Sequence, residues 1–190
     1  MREVDPEVAW RMLHPRPVVL VGAGDLAGKY SFAPASWDAS VRRAAGRGGS
    51  AERGVLHPRA SAGAGRVHAV LLSMDQLDEI LFLGSVSGKD VDKLSVVGWR
   101  AAQARVVGAP VLDNALGVLE CRVRQTVQVD EMTLILADVV GAEVVEETFN
   151  DRYGWDLRRV KTPLHAAGRA FMEPGRLVLA DAGRFRAGKG

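Results

Sequence analysis

The chain has 190 residues, 47% apolar and 25% charged, the composition of one ordinary globular domain, which excludes disorder of the whole chain. Lys and Arg number 25 against 23 Asp and Glu, a net charge of +2, too small an excess to argue for nucleic acid by itself. With 21 Gly, 8 Pro and 6% aromatics, a turn-rich fold is favoured over a helical bundle. Cys121 is the single cysteine, so no internal disulfide can close, and four scattered histidines add no zinc site. The first residues lack the apolar run of a signal peptide, and no stretch approaches the roughly 18 apolar residues of a membrane span. A soluble, cytoplasmic protein is expected.

In chain order, Asp5-Pro6 opens a helix, with Asp as N-cap and Pro at the first helical position. Val8, Ala9, Met12 and Leu13 fall on one face, and His14-Pro15-Arg16-Pro17 ends it. Val18 to Val21 reads as a buried strand. Gly22-Ala23-Gly24-Asp25 and Gly28 supply turn residues, and Tyr30-Ser31-Phe32 alternates like a returning strand. Residues 42–66 differ: six Arg, six Ala, six Gly, one acid (Glu52), no aromatic. No period of 2 or 3.6 survives there, which predicts loop or disorder. Ordered structure is expected to resume near Val70. Ser73-Met74-Asp75-Gln76 is a capping box, followed by a helix through Leu77, Ile80 and Leu81 that Gly84 can close. Asp90 can cap a second short helix through Val97, with Gly98 beyond its end. Val118–Val129 and Met132–Val145 form a long hairpin about an Asp130-Glu131 turn. In it Cys121 reads as a core thiol, and Glu120 is expected to pair with a basic residue nearby. The tail is polar and expected to fray. The balance is mainly β (α+β) with antiparallel pairing, a barrel by preference, since closure removes strand edges.

Gly22-Ala-Gly24-Asp-Leu-Ala27 after the strand matches the dinucleotide fingerprint G-x-G-x-x-G/A. Its context fails, because Gly28, Tyr30, Phe32 and Pro34 leave no room for a helix at the turn. About twenty residues on, where an acid should hold a ribose, lies the Arg/Gly/Ala stretch. A hairpin turn is the better reading.

Several separated pieces together resemble the flavin reductase-like family. They are Pro15-Arg-Pro-Val-Val-Leu-Val21, Gly28-Lys-Tyr-Ser-Phe-Ala-Pro-Ala-Ser-Trp37, Ser85-Val-Ser-Gly-Lys-Asp-Val-Asp-Lys93, Leu119-Glu-Cys121, and Pro163-Leu-His165 with Gly168-Arg169. Each is weak alone, but they stand in family order over residues 15 to 170. Two departures exist. Ser31 replaces the usual Asn, and across 38–69 neither a second core strand nor a Thr-x-x-Asn phosphate segment can be found. Two readings of that span stay open, a stretch displaced in reading frame within a GC-rich gene, and a genuine insertion. The domain is placed at 1–170, with 171–190 as a C-terminal tail.

The resemblance implies an FMN-binding split β-barrel with short flanking helices, a homodimer that binds FMN (or FAD) at its interface. It implies hydride transfer from NAD(P)H to the flavin, with a monooxygenase as a further partner. The flavin carries the redox chemistry, so no catalytic side chain and no metal is required. Ser31, Ala33, Pro34, Ala35 and Ser36 would line the ring, with Trp37 flanking it. Ser87, Gly88, Lys89 and Lys93, at a turn into a short helix, would meet the phosphate. Against this, Lys89 and Lys93, four apart, also suit a solvated helix face, and His165 suits a surface or interface histidine. Other readings are an FMN-bound electron carrier or ferric reductase of the same fold, a damaged or non-enzymatic member, and a scaffold with a basic nucleic-acid arm. Against the arm, 42–66 offers no ring for base stacking. The basic balance of the chain comes from that stretch alone, since the other residues hold 19 basic and 22 acidic side chains.

Overall fold

A computed structural model describes residues 2–24, 30–36, 38–42, 52–56, 65–130 and 132–180. Asp5 caps α1 (Pro6–Ala9) as expected, accepting from the Glu7 N–H. One turn of 3₁₀ helix, Trp10–Leu13, follows. Its apolar face is not covered by this chain: Met12 is 72% and Leu13 65% exposed. After β1 (Arg16–Pro17) come β2 (Val19–Gly24), β3 (Tyr30–Ala35), β4 (Ala39–Arg42), β5 (Glu52–Leu56) and β6 (Arg66–Leu71). Then α2 (Leu77–Ser85), α3 (Lys93–Val97), β7 (Ala101–Gln103) and β8 (Pro110–Leu112) lead to the long hairpin, β9 (Gly117–Val129) and β10 (Met132–Val144). Last are β11 (Phe149–Asn150), β12 (Gly154–Trp155), β13 (Leu164–Ala167) and β14 (Ala170–Met172).

Seven strands form one antiparallel sheet in the order β3-β2-β6-β9-β10-β5-β4. Two register shifts in the β9–β10 ladder, at Leu136/Ala137 and Val139/Gly141, bend it as bulges do. Asp130 takes the left-handed conformation (φ 50°) that the tight turn needs, which Asp tolerates better than most residues. Gly22 lies inside β2 opposite Phe32, so the fingerprint-like glycines belong to an antiparallel hairpin. A Cβ at Gly22 would stand 2.5 Å from the Phe32 ring. The glycine is therefore required by packing.

Period-2 alternation divides the apolar residues between the two faces of the sheet. Val19, Val21, Ala35, Val67, Ala69, Cys121, Ile135 and Ala137 form one cluster. Val18, Leu20, Phe32, Val70 and Leu72 form the other with Ile80 and Leu83 of α2, Leu94 of α3 and Leu112 of β8. Among the described residues no helix is long and apolar enough to cross a membrane.

The structure corrects three local readings. The 42–66 stretch, read as loop, carries β5, and β6 already begins at Arg66. Strand β5 joins β10 (Leu56↔Ile135, Asp138↔Arg53) and holds β4 at the sheet's end. Ladder hydrogen bonds belong to the backbone, so a strand can be held there without an apolar period. The intervening residues 43–51 and 57–64 lie outside the described residues. Second, α3 is capped by Asp92, which accepts from Ser95 N and Ser95 Oγ, whereas Asp90 sits in the preceding turn. Gly98 (φ 71°) closes that helix as expected. Third, Glu120 hydrogen-bonds to backbone N–H groups, with His68 as its basic neighbour at 3.9 Å. The capping box at Ser73 and Gln76 is present, on a short 3₁₀ turn that leads into α2. A separate three-stranded sheet, β1-β13-β14, runs to Met172, and Lys161 Nζ donates to the Pro174 carbonyl. The chain thus keeps packing on the domain past residue 170.

Candidate functional site

A cleft of about 220 Å³ opens between β3, α2 and the β13–β14 hairpin. Pro34, Ala35 and Ser36 make one wall, Leu81, Gly84 and Ser85 of α2 the second, and His165, Gly168 and Phe171 the third. Helix and strand approach closely because Gly84 has no side chain: a Cβ there would lie 2.7 Å from Pro34 Cγ. Strand β3 ends the sheet, so the polar groups on its outer side are not taken by a neighbouring strand. The Phe32 carbonyl lies on that side, where Lys93 Nζ reaches it. By alternation Pro34 faces the same way, and its missing N–H costs no ladder bond.

The polar centre of the cleft is Ser36 with His165, 3.0 Å between Oγ and Nδ1. His165 Nε2 lies 3.2 Å from the Gly168 carbonyl. A carbonyl can only accept, so in the neutral ring Nε2 carries the proton and Ser36 donates to Nδ1. Two further contacts fix the imidazole, Phe171 at 5.1 Å between centroids and His14 at 5.8 Å. His14 also lies 3.0 Å from the His165 carbonyl through Nδ1. His165 is thus the titratable group among the described lining residues. The signal for it was the Pro163-Leu-His165 piece. What sequence could not show was that Ser36, 129 positions earlier, lies beside it, brought there by β1–β13 pairing (Arg16↔His165) and β2–β3 pairing (Val19↔Ala35).

Of the sequence-predicted site residues, Pro34, Ala35 and Ser36 meet in the cleft. Ala33 pairs with Val21 behind it. Ser31 is set against Gly88, where a Cβ would come within 2.8 Å of its Oγ. Ser87, Gly88 and Lys89 form the connection after α2, with the Lys89 N–H donating to Ser87 Oγ. Lys93 is buried, donating to the Leu83 carbonyl (2.6 Å) and the Phe32 carbonyl (3.4 Å). Burial lowers its pKa, and its ammonium ties the end of α2 to β3. Trp37 lies outside the described residues, as do Gly28 and Lys29.

Behind Ser36, burial pushes the Asp38 carboxyl up to about 6, opposed by its own backbone hydrogen bond and by Arg16. A second polar group lies against the 105–107 loop. Glu120 accepts the N–H groups of Arg105 (3.2 Å), Val106 (2.8 Å) and Val107 (2.7 Å). Burial works to raise its pKa, but these donors, helped by His68, bring it below the ordinary value. His68 is fully buried 3.9 Å away, and neither ring nitrogen has a hydrogen-bond partner among the described residues. Burial holds it neutral, against the pull of Glu120. Cys121 is pushed up to about 12 by burial and by Glu120, the behaviour of an inert core thiol. Among the described residues no cluster of three or more His, Cys, Asp or Glu could hold a metal.

The family model of the flavin reductase like domain matches residues 11–164, and the chain belongs to that family. The fold is the split barrel of solved FMN-binding domains. The chain is similar to nitrilotriacetate monooxygenase component B from Bacillus cereus (16% identity, TM-score 0.75, covering 95% of this chain and 98% of that one). It is similar also to an FMN-binding protein from Thermus thermophilus (20%, 0.73, 95% and 98%) and to flavoredoxin from Methanosarcina acetivorans (19%, 0.77, 98% and 97%). No curated protein matches.

Proposed function

We propose that the chain binds FMN, or FAD, in the cleft and takes hydride onto it from NADH or NADPH, supplying reduced flavin to a monooxygenase in the cytoplasm. The observation that carries this reading is a small-walled, mostly apolar cleft on the open edge of β3 whose titratable centre is the Ser36–His165 pair. Such a lining suits a flat ring: Pro34 and Ala35 let backbone approach it, Phe171 and Leu81 exclude water, and Ser36 offers an oxygen held in place by His165. A bound flavin would accept the hydride and hold the electrons. The cleft is smaller than the roughly 300–1,000 Å³ of enclosing small-molecule sites, so it would take the ring and leave the phosphate chain outside. There Ser87 and Lys89 are the candidates to meet it, since Lys93 is already committed to carbonyls. The likeness to nitrilotriacetate monooxygenase component B supports the oxygenase partner.

The test is an FMN titration followed by fluorescence quenching, then NADH and NADPH oxidation with added FMN. Binding at micromolar levels is expected, with Ser36→Ala and His165→Ala each weakening it about fivefold to tenfold. If neither FMN nor FAD binds at that level, the reading fails. The likeness to flavoredoxin favours a second reading, an electron carrier that retains its FMN. A yellow protein after gel filtration, without steady NAD(P)H turnover, would select it. The exposed Met12 and Leu13 support a homodimer. Sedimentation as a single 20.4 kDa chain would exclude one, and Leu13→Glu is expected to dissociate it.

A further inference from the structure

A second cleft, of about 660 Å³, lies between the 150–161 segment and residues 175–177. Its volume falls within the range of small-molecule sites. The bond from Lys161 Nζ to the Pro174 carbonyl, 3.2 Å, joins its two walls. Trp155 and Tyr153 supply aromatic surface. The indole is held from two sides: Phe149 meets it edge-on at 5.4 Å, and Gly117 lies so close that a Cβ would stand 3.0 Å from Trp155 Cη2. Asn150 Oδ1 accepts the N–H groups of Arg152 and Tyr153, which fixes the turn carrying the phenol.

The lining holds three cations, Arg158, Lys161 and Arg176, against one acid, Asp156. Arg158 already binds that acid through two bonds, 2.9 and 2.7 Å, so their charges cancel locally. Lys161 keeps two donors beyond Pro174. Arg176 has no hydrogen-bond or ion-pair partner among the described residues. Two positive charges without acids thus stand beside the fixed Trp155 indole and the Tyr153 ring, over one face of which Arg152 lies at 5.0 Å. A flat ring joined to a phosphate meets both demands, by stacking and by charge-assisted hydrogen bonds.

We propose that this cleft binds a nucleotide, with Trp155 and Tyr153 receiving the base and Lys161 and Arg176 the phosphate. The inference does not depend on what occupies the first cleft. A free mononucleotide and the adenylate end of a dinucleotide share this chemistry.

Calorimetry on the whole protein with AMP, adenosine and inorganic phosphate tests it. AMP is expected to bind at least about tenfold tighter than either fragment, and less tightly as salt rises. Arg176→Ala, which breaks no hydrogen bond or ion pair among the described residues, is expected to weaken AMP about tenfold, and Tyr153→Ala severalfold. Thermal unfolding of both variants should match the parent. Displacement of AMP by NADH would assign the site to a dinucleotide, and failure to displace it to a free mononucleotide. Saturating FMN should leave AMP binding unchanged. No heat with AMP at millimolar levels, equal binding by Arg176→Ala, or loss of AMP binding in the presence of FMN would each overturn the proposal. FMN binding is read separately, so failure of one site is distinct from failure of the other.

Discussion

Strands β2, β6 and β9 turn Val19, Val21, Val67, Ala69 and Cys121 to one side of the sheet, and Leu20, His68, Val70 and Glu120 to the other. The first side packs small apolar groups against Ile135 and Ala137 and buries no charged side chain among its described residues. The second side is covered by helices and loops, and it buries Lys93, His68 and Glu120. The reason is backbone chemistry. Paired strands satisfy one another's polar groups, whereas helix ends and loops bring carbonyls and N–H groups that need partners. Lys93 answers the Leu83 carbonyl near the end of α2, and Glu120 answers the three N–H groups of 105–107. The cleft borders this second layer, through Ile80 and the Gly84–Pro34 contact. Stability of the barrel interior and geometry of the site are thus largely separate.

The largest effect is expected from Glu120→Ala, which removes a buried acceptor and strands three N–H groups. It should cost about 3–5 kcal/mol in urea unfolding, and a loss below about 1 kcal/mol would show that the 105–107 loop finds other partners. Leu83→Ala should cost about 2–4 kcal/mol and weaken FMN binding, because α2 is both core and cleft wall. Ile135→Val, on the other face, should cost about 0.5–1.5 kcal/mol with FMN binding unchanged; equal disturbance of binding by both would refute the separation. Gly22→Ala forces a methyl onto the Phe32 ring and should cost about 1–3 kcal/mol, read as a lower melting temperature.

The smallest effects are titrations. His68 has a native pKa below its ordinary 6.5, so the unfolded chain takes the proton first. Its contribution to stability is present above pH 6.5 and is lost as pH falls through the native value. His68→Leu should flatten that limb of the stability curve. Asp38 has the opposite sign. Its native pKa of about 6 exceeds the ordinary 3.8, so ionisation costs stability as pH rises through 6. Asp38→Asn should stabilise the protein at pH 7 by about 1–2 kcal/mol after solvent screening. A stability profile for the variant that parallels the parent from pH 4 to 7 would contradict it.

The sequence was legible wherever a local pattern had a local cause. The capping box at Ser73, the αL glycine at Gly98 and the alternation of β9 depend on neighbours a few positions away. Pro34, Ala35 and Ser36 were also recoverable, because the family-like stretch is contiguous. Lys93 was expected with Lys89 at the phosphate, or else on a solvated helix face, since spacing of four shows a shared face and says nothing of what covers it. Glu120 was expected to find a basic side chain; His68 stands 3.9 Å away, but the hydrogen bonds of the carboxylate go to backbone groups that no sequence pattern displays. Strand β5 was missed because its ladder bonds leave no apolar period to read.

By itself, then, the sequence determined an antiparallel, turn-rich domain with helices after Ser73 and near Asp90, the second cap lying in fact at Asp92, and placed it by its ordered motifs among flavin reductase-like chains. Tertiary structure decided which side chains meet. Ser36 and His165 come together through the pairing of β1 with β13 and of β2 with β3. Trp155, Lys161 and Arg176 share a cleft only because residues 174–177 return across the 150–161 segment. Backbone preference acts between near neighbours, while sites arise where packing brings distant segments within hydrogen-bond reach.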